Sequence, residues 1–124
     1  MAKRVLIAED EPHIIESLGF VLKRAGYQIS SVSDGNLVMS HVRELKPDAM
    51  ILDLMLPGQN GYEILKTLRA DVTANSLKVL MLTAKGQEQD RRTAEQLGVD
   101  AFITKPFSNR DVVDCIDDLT DTNR

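Results

Sequence analysis

Residues 49–53 read Ala-Met-Ile-Leu-Asp, a run of four apolar residues that leads directly into an aspartate. A short unbroken apolar run is typical of a strand buried on both faces, as strands are in a parallel sheet. Four other short runs occur along the chain, at residues 5–8, 27–32, 79–82 and 101–103, and only the run at 27–32 mixes polar with apolar residues. The pattern therefore predicts five strands.

Longer stretches with apolar residues at helical spacing follow each of these runs and predict five helices. They cover residues 12–25, 36–46, 62–70, 87–97 and a last stretch that begins after Ser108. The fourth is weakly apolar, with only Ala94 and Leu97, which predicts a poorly anchored helix. Strands that alternate with helices indicate an α/β fold, a doubly wound parallel sheet covered on both faces with right-handed crossovers. The flavodoxin-like strand order 2-1-3-4-5 is expected for five such units, although periodicity alone leaves the order open.

Composition limits the class of protein. The 124 residues are 43% hydrophobic and 27% charged, which is typical of one globular domain, taken here as residues 1–124. A net charge of −4 argues against a surface for nucleic acid or for anionic membranes. The single cysteine, Cys115, excludes an internal disulfide, and no apolar run is long enough for a signal peptide or a membrane span. We therefore expect a cytoplasmic protein.

Side chains that can carry chemistry follow four of the five predicted strands. They are Glu9 and Asp10 after the first strand, Asp53 after the third, Thr83 after the fourth and Lys105 after the fifth. The carboxyl ends of parallel strands meet at one edge, so these side chains should converge in one crevice. Three carboxylates in one place are costly without a cation, and oxygen ligands without histidine or cysteine suit Mg²⁺ or Ca²⁺. The small number of carboxylates, with positions open for water, favours Mg²⁺. A carboxylate beside Mg²⁺ can attack a phosphoryl group, whose oxygens a hydroxyl and an ammonium can then bind.

These residues stand in four short motifs that occur in a characteristic order. The motifs are Glu9-Asp10-Glu11, residues 53–58 with Gly61, Leu82-Thr83-Ala84 and Lys105-Pro106-Phe107. In this order, and at the ends of the predicted strands, they resemble the receiver domains of two-component response regulators, of the chemotaxis-regulator type. The resemblance covers about residues 4–119, which is nearly the whole chain.

The resemblance implies roles in phosphorylation and in switching. Asp53 would be the phosphoacceptor, Thr83 the switch hydroxyl that moves toward the phosphoryl group, and Lys105 the ion-pair partner of that group. Phe102 stands at the position of the switch aromatic, which is often tyrosine; it can change rotamer but cannot donate a hydrogen bond. The Lys105–Pro106 peptide is expected to be cis.

The resemblance also implies a set of ligands for Mg²⁺. Asp10 and Asp53 would bind the ion directly, together with the backbone carbonyl of Met55, and Glu9 would assist directly or through water.

The function implied is a signalling switch that is controlled by phosphorylation. A histidine kinase or a histidine phosphotransfer protein would donate to Asp53, and the surface of helix 4, strand 5 and helix 5 would change to control a downstream protein or an attached effector domain. Such a domain catalyses only its own phosphorylation and dephosphorylation and is not otherwise expected to be an enzyme.

Three alternatives stay open: a haloacid dehalogenase-like phosphatase, an interaction module that is never phosphorylated, and a receiver fragment of a longer transcription regulator. The phosphatase would need an acid where Met55 stands.

Helical phase adds two expectations about the surface. Phe20 lies nearly opposite the apolar stripe of the first helix, so we expect it to be exposed and to anchor the docking of the phosphodonor on that helix. Cys115 lies on the apolar stripe of the last helix and is expected to be buried. A solvated face of the last helix is expected to carry five aspartates, Asp111, Asp114, Asp117, Asp118 and Asp121.

Overall fold

The five predicted strands form one parallel sheet in a computed structural model, which describes residues 2–84 and 88–121. The strands are β1 (Arg4–Ala8), β2 (Gln28–Val32), β3 (Ala49–Asp53), β4 (Lys78–Thr83) and β5 (Ala101–Thr104). Their order is β2-β1-β3-β4-β5, so the predicted flavodoxin-like arrangement is confirmed. The chain runs outward from β1 to β2 and then returns to place β3 on the other side of β1, which opens a crevice between the carboxyl ends of β1 and β3.

Five α-helices cover the sheet in the described ranges. They are α1 (Pro12–Arg24), α2 (Val38–Leu45), α3 (Gly61–Ala70), α4 (Glu88–Gln96) and α5 (Asn109–Thr120). The predicted second helix is divided, because a 3₁₀ turn at Gly35–Leu37, where the side chain of Asp34 accepts a hydrogen bond from the Asn36 backbone N–H, precedes α2. The predicted start of the fourth helix at residue 87 lies outside the described residues. None of the helices in the described ranges is long and apolar enough to cross a membrane.

Alternation along the strands divides the core into two layers. Leu6 and Ala8 of β1 point into the layer beneath α2, α3 and α4, whereas Val5 and Ile7 point into the layer beneath α1 and α5. The central strand β3 is buried along its whole length, as its unbroken apolar run predicts. Each fully buried aliphatic side chain stabilises the fold by about 1.5–3 kcal/mol, so these two layers position the strand ends firmly.

The register of the strands brings the predicted site residues to one edge. Ala8 is level with Leu52, Asp53 with Leu82, and Thr83 with Thr104. The residues that follow each strand therefore emerge side by side.

Gly61 begins α3 where the helix presses against the backbone that follows β3. Its N–H donates to the Leu54 carbonyl oxygen at 2.9 Å. A Cβ at Gly61 would lie 2.9 Å from the Leu54 Cα and 3.1 Å from the Asp53 carbonyl oxygen. Only glycine allows the first turn of α3 to pack this closely against the segment that carries Asp53.

Gly19 of α1 and Gly61 of α3 should respond oppositely to substitution by alanine. Gly61→Ala forces backbone apart and should lower the free energy of unfolding by about 1–3 kcal/mol. Gly19→Ala should raise it by about 0.5–1 kcal/mol, because Gly19 lies inside α1 and an added Cβ would be 4.0 Å from Cγ2 of Ile29, an ordinary van der Waals contact. Urea unfolding followed by circular dichroism measures both changes, and a stable Gly61→Ala protein would contradict the close packing.

Candidate functional site

Lys105 lies between two buried carboxylates at the carboxyl edge of the sheet. Its Nζ is 3.0 Å from Oε1 of Glu9 and 3.2 Å from Oδ2 of Asp53. The two carboxylate side chains are 1% and 4% exposed, and the lysine is itself largely covered. Burial acts to lower the pKa of Lys105, but the contacts with Glu9 and Asp53 together outweigh it and raise the pKa, so the lysine is a fixed positive charge in this crevice.

Glu9 is held from two sides. Its Oε2 accepts hydrogen bonds from the backbone N–H groups of Asp10, at 3.1 Å, and Glu11, at 3.2 Å. Its Oε1 accepts no hydrogen bond of good geometry, although the Lys105 ammonium is within ion-pair distance. Burial, and then the neighbouring Asp53, raise the pKa of Glu9 to about 7, against the opposing effect of Lys105.

Glu9, Asp10 and Asp53 form an acidic cluster that can hold a cation. One carboxylate oxygen of each lies within 4.8 Å of the others, with Glu9 and Asp53 buried and Asp10 exposed. Oxygen ligands of this kind suit a hard divalent ion such as Mg²⁺, and the exposed side of the cluster leaves room for water. The incompletely bonded Oε1 of Glu9 is consistent with a site that a cation completes.

The loop after β3 is shaped by Asp53 itself. Oδ1 of Asp53 accepts a hydrogen bond from the backbone N–H of Met55 at 3.0 Å, while Oδ2 faces Lys105. Both oxygens of the carboxylate are therefore oriented. The Met55 side chain is 54% exposed, so the position that the phosphatase alternative requires to be acidic carries an apolar group beside the crevice.

Thr83 and Phe102 belong to the opposite face of the sheet. Met81 and Phe102 are level with each other and both lie in the layer beneath α2, α3 and α4. Thr83 comes two residues after Met81, so alternation places it on the same face, and it is fully buried. The Phe102 ring is 8% exposed and lies beneath the guanidinium group of Arg91, whose Cζ is 4.9 Å from the ring centroid.

The turn after β5 aligns Lys105 with the crevice. The Lys105 backbone N–H donates to the Thr83 carbonyl oxygen at 2.7 Å, which extends the pairing of β5 with β4 by one residue. The Lys105–Pro106 peptide is cis, which confirms the prediction from the sequence.

Phe20 is exposed as predicted, at 61%, but it does not line the groove beside Lys105. It lines a shallow groove with Gly19 and Lys23 of α1 and Ile29 of β2. A different groove opens beside Lys105, and α1 contributes Ile14 to it. The sequence did not distinguish these two sides of α1.

Two expectations for α5 need correction. Asp117 is buried rather than solvated, because its carboxylate accepts a hydrogen bond from the Tyr27 hydroxyl, which also lies 3.2 Å from the Thr120 hydroxyl. Cys115 is only partly buried.

Sequence reasoning also missed two residues outside the motifs. Tyr62 contacts α4, and Arg91 contacts the Phe102 ring. No local motif marks either of them.

Comparison with known proteins defines the class. Residues 5–117 match the response regulator receiver domain. The phosphate regulon transcriptional regulatory protein PhoB of Escherichia coli is 40% identical over 113 residues, which are 91% of this chain and 49% of PhoB. The DNA-binding response regulator MtrA of Mycolicibacterium smegmatis is 38% identical over 113 residues, 91% of this chain and 48% of MtrA. The chain thus spans about half the length of the curated relatives it matches.

The solved structures agree with the sequence relatives. The signal receiver domain of a signal transduction histidine kinase from Syntrophus aciditrophicus has a TM-score of 0.89 and 28% identity, and the match covers 99% of this chain and 93% of that one. The fold, the motifs and these relatives define a phosphoacceptor module of two-component signalling. The chain belongs to the response regulator receiver domain family, whose members are regulatory domains rather than typical enzymes. The family match favours this interpretation over the phosphatase alternative.

The raised pKa of Glu9 predicts a dependence of stability on pH in metal-free buffer. A carboxyl group whose pKa rises on folding from 4.5 to about 7 binds more protons in the folded state between these values. Its contribution to the free energy of unfolding is therefore complete below pH 4.5 and is lost as the pH rises through 7.

Glu9→Gln should remove this dependence. In EDTA, the free energy of unfolding of the variant minus that of the parent protein should rise by on the order of 2 kcal/mol from acid to neutral pH. Urea unfolding at a series of pH values measures this difference, and a difference that stays constant or falls would contradict the raised pKa.

Proposed function

We propose that Asp53 accepts a phosphoryl group from a phosphohistidine and that this controls the surface formed by α4, β5 and α5. The observation that carries the proposal is the setting of the Asp53 carboxylate, which is buried and held by the Met55 backbone N–H and the Lys105 ammonium inside an acidic cluster. Asp53 shares the Lys105 ammonium with a second buried acid, Glu9, so one cation faces two carboxylates.

The transfer is a displacement at phosphorus. A carboxylate oxygen of Asp53 attacks the phosphorus atom, the new O–P bond forms as the P–N bond breaks, and the imidazole nitrogen keeps the electron pair. Lys105 already contacts Oδ2 of Asp53, so its ammonium is within reach of a phosphoryl oxygen attached there. Thr83, from the neighbouring strand end, supplies a hydroxyl for a further oxygen.

Receiver domains generally bind Mg²⁺ at an acidic pocket, and the residues of this chain fit that ion. Glu9, Asp10, Asp53 and the Met55 backbone carbonyl would hold it. When bound, Mg²⁺ neutralises the carboxylates and the phosphoryl oxygens.

Switching follows from the position of Thr83 and Phe102 on one face of the sheet. A phosphoryl group on Asp53 attracts the Thr83 hydroxyl, and a displacement of Thr83 changes the space next to Phe102. Phe102 is level with Met81, which lies two residues before Thr83 on the same face of the sheet. The layer beneath α4 then repacks, and the outer surface of α4, β5 and α5 changes with it. A downstream protein or an attached effector domain responds to this surface; PhoB and MtrA are examples of regulators that are longer than this chain.

The phosphodonor docks on α1. The groove beside Lys105 has a volume of about 600 Å³ and includes the apolar residues Ile14, Ala84, Pro106 and Phe107. Asn109 donates a hydrogen bond to Ser17 at 2.7 Å, which ties α5 to α1, and both residues line this groove. A helix of a histidine kinase or phosphotransfer protein that fills this groove brings its histidine to the acidic crevice. Phe20, on the other side of α1, gives the same partner a second apolar contact.

Asp53→Asn tests the phosphoacceptor. The substitution keeps the shape and removes the attacking carboxylate, so incorporation of phosphoryl from acetyl phosphate and Mg²⁺ should vanish when measured by intact mass. Asp114→Asn makes the same chemical change on the exposed face of α5 and should be labelled normally. Labelling of the Asp53→Asn protein at the rate of the control would reject the assignment.

Phe20→Ala tests the docking contact. Transfer from the cognate kinase should slow by roughly tenfold, equivalent to about 1.4 kcal/mol, whereas labelling by acetyl phosphate should be unchanged because it needs no docking. Val72→Ala is a matched control, since Val72 is 84% exposed and follows α3, remote from α1. Equal losses with both donors would mean that Phe20 supports the fold instead.

A further inference from the structure

Helix α4 is held to the domain by little apolar contact. Its sequence, EQDRRTAEQ, contains one apolar residue, Ala94, which is also its one buried residue in the described part of the chain. By contrast, α3 buries Ile64, Leu65 and Leu68. Other contacts must therefore contribute to the position of α4.

Two neighbouring residues of α4 supply such contacts, each to a different element. The Tyr62 hydroxyl of α3 donates to the Asp90 carbonyl oxygen at 3.3 Å and lies 3.4 Å from Oδ1 of the same residue. The guanidinium group of Arg91, the next residue, covers the Phe102 ring of β5. Burial, and then the charge of Asp90, raise the pKa of Tyr62, so its hydroxyl stays protonated as the donor.

The position of Tyr62 depends on the loop that carries Asp53. Tyr62 follows Gly61, whose N–H donates to the Leu54 carbonyl oxygen and which lies so close to that backbone that an added Cβ would be 2.9 Å from the Leu54 Cα. Leu54 in turn directly follows Asp53, and its N–H donates to the Leu82 carbonyl oxygen at 3.0 Å. A change in the conformation of the Asp53 loop is thus passed to the first turn of α3, where Tyr62 holds α4.

We propose that Tyr62 is a positioning residue that couples the Asp53 loop to α4, and thereby keeps Arg91 over the Phe102 ring. This path runs through α3 and is separate from the path through Thr83, which runs through β4. The anchoring of α4 is a property of the fold alone, while its part in signalling rests on the proposed function.

Hydrogen exchange tests the anchoring without any phosphorylation. In Tyr62→Phe, amides of α4 should exchange about threefold to tenfold faster, the range expected for loss of one weak hydrogen bond, while amides of α1 and α5 keep their rates. The Phe102 ring resonances should shift at the same time, because Arg91 loses its fixed position; a purely structural role for Tyr62 would not move them selectively.

Tyr27→Phe is the matched control, since it removes the hydroxyl of the only other tyrosine, whose partners Asp117 and Thr120 lie in α5. It should speed exchange in α5, whose Asp117 loses a hydrogen bond, and leave the Phe102 resonances and the exchange rates of α4 unchanged. Unchanged exchange of α4 in Tyr62→Phe would overturn the proposal, and so would equal acceleration in all helices.

A second measurement addresses the coupling. With beryllofluoride and Mg²⁺, the change in the α4 amide resonances should be at least halved in Tyr62→Phe, whereas acetyl phosphate should still label Asp53. A full response in the variant would overturn the coupling. Failure of the parent protein to be labelled would instead reject the proposed function and leave the exchange result standing.

Discussion

Two buried carboxylates share one ammonium group at the centre of this domain, and the rest of the site depends on that arrangement. Glu9 and Asp53 come from adjacent central strands, so they cannot move apart without disrupting the sheet. Lys105 arrives from the fifth strand and offsets only part of their charge. Burial, and then the neighbouring Asp53, raise the pKa of Glu9, and the excess negative charge makes the crevice receptive to a further cation.

The sheet separates the charged part of the site from the part that responds. By strand alternation, Glu9 and Asp53 continue the rows that face α1 and α5, and Lys105 contacts both of them. Thr83 continues the row that faces α4 and leads back to Phe102. A phosphoryl group at the strand ends lies where these two faces meet, so it can contact both. This explains why chemistry beside α1 can alter a surface on the far side of the sheet.

The fold and the residues of the candidate site were predictable from sequence because short local patterns mark both of them. Apolar runs define the strands, each site residue directly follows one, and the parallel topology then brings Asp10, Asp53 and Lys105 together. What the sequence did not reveal depends on pairs that are distant in the chain. Asp117 looked like one more solvated aspartate because its partner, Tyr27, is 90 residues away. Tyr62 looked like an ordinary residue of α3, because its partner, Asp90, lies in a different helix. Phe20 was correctly predicted to be exposed, but helical phase could not show which groove it lines.

The position of β1 between β2 and β3 has a consequence for biosynthesis. Strands β2, β1 and β3 are neighbours in space and are complete once the ribosome has passed Asp53, so this half of the sheet can assemble while the remainder is still being made. That half already contains the whole acidic cluster, whereas Lys105 is synthesised 52 residues after Asp53. The nascent domain therefore contains Glu9 and Asp53 before Lys105, the cation that pairs with them, has been synthesised. When β5 adds to the edge of the sheet, it completes the sheet and brings in Lys105, which neutralises part of the charge of the acidic cluster.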